Sequence, residues 1–530
     1  MQNNFRILKF VVGVAIFLSF LYITSVMLDP DLGWHLRVGE WVFEHKAVQR
    51  VDVSSYTMPG FPWIDHEWLV NAGLWWLYSQ NLWWVVVFLF TLFAFIPVLV
   101  WLVRADSRAK VAAVILGSTF LLSFIGVRPQ ILSLFFFFFV SEILYARLKG
   151  KRSLLLLLPL LFFLWVNLHA GFFGGLLFFG AFVFADYVRA FVRTGRLDDR
   201  EAGSSLLIFS LSFFVTFLNA HGGRIYKEIL SVILPSYTSK YIVEWQPAFV
   251  LSNIAVPIFI GVFLFFAVKF IKKYPLHVLF TNFLFFFSFI KTVRMGPLFL
   301  VSAMPLLFLG IDLAFSEART ALHKTPFTGN IQNVARRIWG GVFAVLFLLL
   351  GYGVLGYDTQ PFPGKAVAFL REEARNGSLG NILNDYGLGG YLSWRAPEIK
   401  IFIDGRMPNW IGEDGSSAMK DYVAIFFSGD EDMRQEVFER RKIQTVFLKK
   451  GVAASEESQK KDERNIFRGL KAHLGKSSYV RRLVNFLKKG VGQDLSRALL
   501  KEGWEKIYDD EEAVILRCRE EVCSYLKGGA

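Results

Sequence analysis

Charge is what this chain is short of. Asp, Glu, Lys and Arg supply 19% of its 530 residues, where soluble globular domains carry about 25%. Cysteine is almost missing: Cys518 and Cys523 are the two in the whole sequence. That excludes a disulfide-stapled scaffold and a cysteine-based zinc site. No Walker loop and no dinucleotide-binding glycine pattern occurs, so the common nucleotide-phosphate cradles are excluded as well. The formal net charge of +14 invites a nucleic-acid reading, but its distribution argues against one. From Tyr357 onward 29 basic residues face 27 acidic ones, so the excess lies in the first 356 residues, flanking apolar runs. Basic groups in that position report membrane topology rather than a ligand.

What the chain has in abundance is apolar surface: 54% hydrophobic residues, with 57 Phe and 15 Trp. Apolar runs of roughly twenty residues recur through the first 356 positions, the length that carries a helix across a bilayer core. They predict an α-helical polytopic membrane protein with about 11 spans, at 6–28, 82–103, 111–127, 130–148, 153–168, 171–190, 203–220, 252–271, 275–290, 296–314 and 338–356. The first run is longer than a signal-peptide core and lacks a small-residue cleavage site, so it reads as a retained anchor. Residues 66–80, "HEWLVNAGLWWLYSQ", are too short to cross and have the Trp and Tyr content of an interfacial helix. The Phe-rich "LFFFFFV" at 134–140 reads as lipid-facing or packing surface.

With the N-terminus in the cytoplasm, alternate loops collect 20 of the 29 basic residues of the membrane half. The positive-inside bias selects that orientation. Eleven crossings then put residues 357–530 outside the cytoplasm, and the expected location is the cell inner (plasma) membrane. The division follows: 1–356 as the transmembrane domain, with 29–81 as its first outer loop, and 357–530 as a soluble extracytoplasmic domain.

On the outer side fall the 29–68 loop, "VRPQ" at 127–130, "NLHAG" at 167–171, "NAHGG" at 219–223, "YIVEWQP" at 241–247 and "KTVRMGP" at 291–297. Each brings an ionisable or strongly hydrogen-bonding group to a helix end. Charge is costly inside a bilayer, so polar groups gathered on one side suggest a cavity facing that side. Asp29 and Asp31 follow the first span directly. Such carboxylates suit a general base or a divalent-metal ligand, and equally the cap of the helix that "DLGWHLRVGEW" predicts. His35 lies one turn after Asp31 on that helix. In "WIDHEWL", Asp65, His66 and Glu67 precede another helix, with one expected to cap it and one to face the cavity. Arg37, Arg128, Lys291 and Arg294 are the candidate cations for an anionic substrate, with His169 and His221 as further donors. Arginine suits bidentate phosphate recognition and lysine a point charge; snorkelling to headgroups is the alternative for each.

The last 174 residues alternate strand and helix signals, which predicts a small α/β domain. "FPGKAVAFLREEARNGS" has helical spacing, "GNILNDYGLGGYLSWR" reads as a strand, a glycine-rich turn and a short helix, and "IKIFIDGR" at 399–406 as a strand. "QTVFLKK" and "EAVILRC" are two further strands with a basic helical stretch between. Asp385 and Asp404 lie at strand ends, where turn roles compete with ligand contact. Cys518 and Cys523 can pair in an extracytoplasmic domain or stay apart.

Four stretches, "DPDLGWHLRVGEW", "WIDHEWL", "NDYGLGGYL" and "FIDGR", together with the acidic start of the first outer loop and the outer C-terminal domain, resemble the GT-C superfamily of integral-membrane glycosyltransferases. That superfamily includes the dolichyl-phosphate-mannose protein mannosyltransferases, the aminoarabinose lipid A transferase and the catalytic oligosaccharyltransferase subunits. The likeness extends to a bacterial branch described only as glycosyltransferase-like membrane proteins. The resemblance implies a lipid-phosphate sugar donor and a first-loop acid, Asp29 or Asp31, that serves the acceptor or binds a divalent metal such as Mg or Mn. The chain departs from the metal-dependent pattern at 127–130, where "VRPQ" supplies arginine in place of a second acidic pair.

The expected activity is transfer of a sugar from a polyprenyl-phosphate donor to a lipid, glycan or protein acceptor at the outer face. Arg128, Lys291 and Arg294 would offset the charge of the departing lipid phosphate. A transporter or flippase of lipid-linked sugars is the rival, with a polar site near the midplane as its mark. A non-catalytic scaffold whose outer domain binds a partner is the third.

Overall fold

The computed structural model describes residues 2–27, 29–197, 199–233, 241–248, 253–322, 331–355, 362–450 and 491–523. The chain divides into two compact units: Met1–Asp29, Val38–Val48 and Ile64–Thr359 form one, and Pro30–Arg37, Gln49–Trp63 and Gln360–Ala530 form the other. Two pieces of the first loop, 30–37 and 49–63, therefore belong with the C-terminal part.

The first unit is helical: α1 (Gln2–Val26), the second half of α2 (Leu32–His45), α3 (Trp68–Ser79), α4 (Trp83–Arg104), α5 (Arg108–Leu121), α6 (Gln130–Leu148) and α7 (Leu158–Val166). It continues through α8 (Phe172–Thr194), α9 (Arg200–Val215), α10 (Arg224–Ile233), α11 (Ala255–Lys269), α12 (Leu276–Lys291), α13 (Gly296–Leu322) and α14 (Ile331–Leu355). Among the described residues, six helices are long and apolar enough to cross a membrane, namely α1, α4, α6, α8, α13 and α14, while 152–166, α11 and α12 are apolar but shorter. The expected spans at 111–127 and 203–220 contain α5 and α9, of 14 and 16 residues. The helix expected at 66–80 is α3, 12 residues or about 18 Å long, too short to span.

Local chemistry fixes several helix ends. Ser107 accepts the Lys110 N–H at the start of α5, and Asp199 accepts the Glu201 and Ala202 N–H groups at the start of α9. Each cap replaces a backbone partner that the first turn lacks. Gly195 ends α8 at φ +67°, a left-handed conformation that glycine adopts without a Cβ penalty. Pro97 and Pro305 sit inside α4 and α13, as transmembrane helices tolerate.

Between apolar helices in lipid, association comes from close packing rather than from removal of apolar surface from water. The Phe-rich run of α6 does this work. Leu134, Phe136, Phe137, Phe138 and Val140 are buried, and the Phe137 ring lies 4.9 Å from both Phe178 of α8 and Phe285 of α12. Of the two uses expected for that run, these residues serve packing. Exposed Phe10, Val103, Phe184 and Phe287 line the outside instead, a surface suited to lipid.

The second unit contains a four-stranded sheet of order β1-β2-β4-β3, from β1 (Asn381–Asn384), β2 (Ile443–Lys449), β3 (Glu505–Asp509) and β4 (Ala513–Arg517). β1 and β2 run parallel; β2 with β4 and β3 with β4 run antiparallel. Its helices are α15 (Gly364–Arg375), α16 (Gly389–Arg395), α17 (Ala418–Phe427), α18 (Glu431–Arg441) and α19 (Val491–Lys501). Ala366, Val367 and Leu370 of α15 pack with Ile382, Phe447 and Ile515 of the strands as a core. The strands expected from "QTVFLKK" and "EAVILRC" are β2 and β4. The charged β3 was not expected, and the basic stretch at 451–490 lies outside the described residues.

The strand expected at 399–406 differs. Ile401 makes an isolated parallel bridge to Ser55 of the first loop, supported by Tyr56 N–H donating to the Ile401 carbonyl and Ile401 N–H to Ser54. Asn384 supplies what a neighbouring strand would: its side chain accepts the Phe402 N–H and donates to the Ile403 carbonyl. Cys518 and Cys523 form a disulfide, their Cα atoms 6.1 Å apart.

Candidate functional site

The first unit gathers its polar residues at the helix ends that carry Asp29, Arg128, His169, His221 and Arg294. Asp29 follows α1. Arg128 precedes α6, where Pro129 holds φ −54° and turns the chain into the helix. The Arg128 Nε lies 2.5 Å from Asp29 Oδ2, and its Nη1 lies 3.2 Å from Glu244 Oε1. Glu244 in turn faces Arg294, with Oε2 3.9 Å from Nη1. Asp29, Arg128, Glu244 and Arg294 thus form a row of alternating charge.

Glu244 stands in a single helical turn, Val243–Trp245, tied to the entry of α13. Thr292 Oγ1 donates to the Glu244 carbonyl, 3.0 Å, and Val293 N–H to the Gln246 carbonyl, 2.8 Å. The Arg294 guanidinium lies 5.0 Å from the Trp245 ring, a cation–π contact. Asp29 is the most enclosed member of the row, with 9% of its side chain exposed, and Glu244 the most open, with 39%.

A second polar cluster begins less than two turns along α6, at Ser133. The Gly171 N–H donates to His169 Nδ1, 2.9 Å, so Nδ1 is an acceptor and the ring proton sits on Nε2. The Ser133 hydroxyl, taking the Trp165 indole N–H at 2.9 Å, donates to the same Nδ1 at 2.6 Å. His169 Nε2 faces Glu67 Oε1 at 3.2 Å. Asp65 accepts the Glu67 N–H and grips Asn71 Nδ2 with both oxygens, each at 3.0 Å. His221 Nε2–H donates to the Asp65 carbonyl at 3.0 Å, and His66 Nε2 stands 3.7 Å from Glu67. Within "WIDHEWL", Asp65 therefore orders the entry to α3, and Glu67 is the acid turned to a histidine.

The opposite helix ends hold a different constellation. Arg147, read from sequence as a topology mark, is buried and pairs with Asp186 at 2.8 Å, and His277 Nε2 reaches Asp186 at 2.7 Å. The three residues tie α6, α8 and α12 together.

The second unit holds Asp31, His35 and Arg37. Asp31 lies against Gly405, where an added Cβ would strike its carboxylate, and its carbonyl accepts the His35 N–H, 3.1 Å. His35 is buried and Arg37 half-buried. Asp404 and Arg406 of "FIDGR" clasp each other through Arg406 Nη2 at 2.7 Å, and Asp52 closes on the same nitrogen at 3.3 Å. Trp63 and Trp410 flank this guanidinium at 5.2 and 5.8 Å.

The structure therefore brings Asp29 to Arg128 and, through Glu244, to Arg294. It joins Asp65, His66, Glu67, His169 and His221 in the second cluster. Lys291, exposed at the end of α12, makes no ion pair among the described residues. Glu244 and Ser133 were missed as site residues. Glu244 is 116 positions from Arg128, so no local spacing could connect them; an acid beside Trp in a loop expected on the cavity side was the available signal.

Among the described residues no group of three or more His, Cys, Asp or Glu could hold a metal ion. The acids nearest the expected metal position, Asp29 and Glu244, have guanidinium partners, so this donor set does not fit a divalent cation.

Neither a protein-family model nor a curated protein sequence matches the chain. Solved structures do. The apo crystal structure of the Archaeoglobus fulgidus oligosaccharyltransferase aligns over 83% of this chain and 69% of that one, at TM-score 0.56 and 15% identity. The same enzyme tethered to an acceptor peptide containing the NVT sequon aligns over 83% and 68%, at TM-score 0.52 and 15% identity. The chain has the GT-C fold. ArnT from Cupriavidus metallidurans bound to undecaprenyl phosphate aligns over 98% and 99%, at TM-score 0.46 and 11% identity. Within the GT-C fold of this chain, the row from Asp29 to Arg294 follows the first apolar helix and opens the loops between later ones.

Proposed function

We propose that the protein is a membrane glycosyltransferase that moves a sugar from a polyprenyl-phosphate donor to an acceptor hydroxyl or amide. The observation that carries this reading is the placement of Arg128 beside Asp29, with Arg294 joined to Arg128 through Glu244, in a GT-C fold. The similar oligosaccharyltransferase accepts a peptide substrate, and the general reaction class is taken from that likeness.

In this reading the acceptor heteroatom attacks the anomeric carbon, the bond from that carbon to the phosphate oxygen breaks, and the prenyl phosphate leaves with the electron pair. The acceptor proton passes to Asp29. Arg128 and Arg294 stabilise the charge that grows on the leaving phosphate, as preorganised cations do where water is scarce. Lys291 adds positive charge nearby. Asp29 suits the basic role better than Asp31, because Asp29 stands beside the phosphate-directed Arg128 while Asp31 packs on the Gly405 backbone. The cluster of Asp65, His66, Glu67, His169 and His221 shapes the acceptor side.

The proposed topology has eleven crossings in the inner (plasma) membrane, a cytoplasmic N-terminus, a transmembrane domain over 1–356 and an extracytoplasmic domain over 357–530. The test is donor turnover by purified protein carrying Asp29→Asn, Asp31→Asn or both. Loss with Asp29→Asn alone is expected; full activity in the double variant removes this role for the pair.

A further inference from the structure

The row of charges holds one member that a phosphate-binding role for the arginines does not explain. Glu244 bridges Arg128 and Arg294, one carboxylate oxygen toward each guanidinium, at 3.2 and 3.9 Å. Two guanidiniums spanned by a single anion is an arrangement that phosphoryl oxygens would also satisfy. We infer that Glu244 is a resident counter-anion that occupies a phosphoryl site on Arg128 and Arg294 and is displaced when the ligand's phosphate arrives. The inference rests on the phosphate role given above to these arginines and adds to it the group that sets their affinity.

The contacts distinguish which acid leaves. Asp29 holds Arg128 Nε at 2.5 Å with 9% of its side chain exposed, whereas Glu244 holds its partners at longer distances with 39% exposed. Long, open ion pairs contribute little and exchange readily. The backbone of Glu244 stays anchored through Thr292, and its neighbour Trp245 keeps its face toward Arg294. Rotation of the Glu244 side chain alone withdraws its carboxylate from both guanidiniums without dismantling the turn. Two arginines and two acids are neutral together; with Glu244 turned away, Arg128, Arg294 and Asp29 leave one net positive charge for the ligand. When the phosphate departs, Glu244 restores neutrality and opposes rebinding.

The experiment measures binding of farnesyl phosphate and of inorganic phosphate to the full chain in nanodiscs, for wild type, Glu244→Gln, Arg294→Gln and the double variant. Glu244→Gln keeps the shape and removes the competing charge, so farnesyl phosphate should bind about tenfold more tightly, roughly 1.4 kcal/mol. The gain should vanish in the Arg294→Gln background. Glu244→Ala gives a second route to the same gain should the glutamine form a new hydrogen bond. An equal gain for inorganic phosphate assigns the site to a free phosphoryl group; a gain confined to farnesyl phosphate assigns it to a lipid headgroup. Unchanged or weaker binding in both Glu244 variants overturns the inference while leaving wild-type phosphate binding, and the proposed function, intact. Binding by no form of the protein overturns both. Tighter binding in Glu244→Gln without sugar turnover by wild type keeps the counter-anion and removes the transferase.

Discussion

Arg128 reaches two acids with different nitrogens, Asp29 with Nε at 2.5 Å and Glu244 with Nη1 at 3.2 Å. A planar guanidinium does this with one rigid group, and a lysine ammonium does not. Arg128→Lys should therefore behave more like Arg128→Ala than like wild type. Loss of one preorganised cation from such a site costs about 10²–10³ in kcat. Donor turnover by the two variants checks this; wild-type activity in Arg128→Lys would show that charge alone suffices.

The Glu67–His169 contact depends on a tautomer set from the other side of the ring. Removing the hydroxyl in Ser133→Ala takes away one of the two donors to Nδ1 and leaves the Trp165 indole without its acceptor. A buried polar group without its partner costs about 1–3 kcal/mol, so Ser133→Ala should lower the melting temperature in detergent. Glu67→Ala and His169→Ala should be strongly non-additive, since each removes the same contact. Additive losses in a double-mutant cycle would mean that the two side chains act independently.

Much of this architecture was legible in the sequence because a bilayer demands long apolar helices, and their positions follow from hydropathy alone. The residues of "DPDLGWHLRVGEW" show where that legibility stops. Asp29 and Asp31 look equivalent in sequence, yet Asp29 belongs to the helical unit and Asp31 to the unit with the sheet. What separates them is long-range packing. An added Cβ on Gly33 would strike the Gly390 carbonyl, and one on Gly390 would come within 2.8 Å of the Pro30 carbonyl. The glycines of "YGLGGY", read as turn formers, thus also permit two backbones to approach. "IKIFIDGR" read as a strand because it is rich in β-favouring residues; its partner is a first-loop segment more than 340 positions away, beyond the reach of local pattern.

That distant pairing depends on Arg406. Its guanidinium is enclosed by Asp404, Asp52, Trp63 and Trp410, and all three charged side chains are buried. Removing one partner of a buried ionic group costs about 3–5 kcal/mol, because the remaining charges keep their desolvation penalty. Arg406→Ala should loosen residues 49–63 from 399–410, visible as faster amide hydrogen exchange at Tyr56 and Ile401. Arg406→Met, which fills the space without charge, should leave the exchange equally fast, since Asp52 and Asp404 still lack their partner. Wild-type protection in either variant would show that the backbone bridge holds the segment alone.

Asp385 gives the sheet-bearing unit a pH dependence of defined sign. Burial pushes its carboxyl above the ordinary aspartate value, against the pull of the Gly387 N–H and the charge of Lys449. With a raised folded-state pKa, the folded chain keeps a proton that the unfolded chain has released. Stability from this group is therefore fully present below the ordinary value of about 3.8 and is lost as pH rises through the folded pKa. Asp385→Asn retains an oxygen for the Gly387 N–H, which Asp385 accepts at 3.0 Å, and removes the titration. The variant should match wild type near pH 4 and melt at a higher temperature at pH 7. The same substitution should act on Tyr422, whose hydroxyl accepts the Tyr386 N–H and is pushed far above its ordinary value by burial and by the Asp385 charge. Without that charge, the tyrosinate absorbance of Tyr422 should emerge at lower pH. A melting difference independent of pH would show that Asp385 is protonated, or ionised, alike in the folded and unfolded chains.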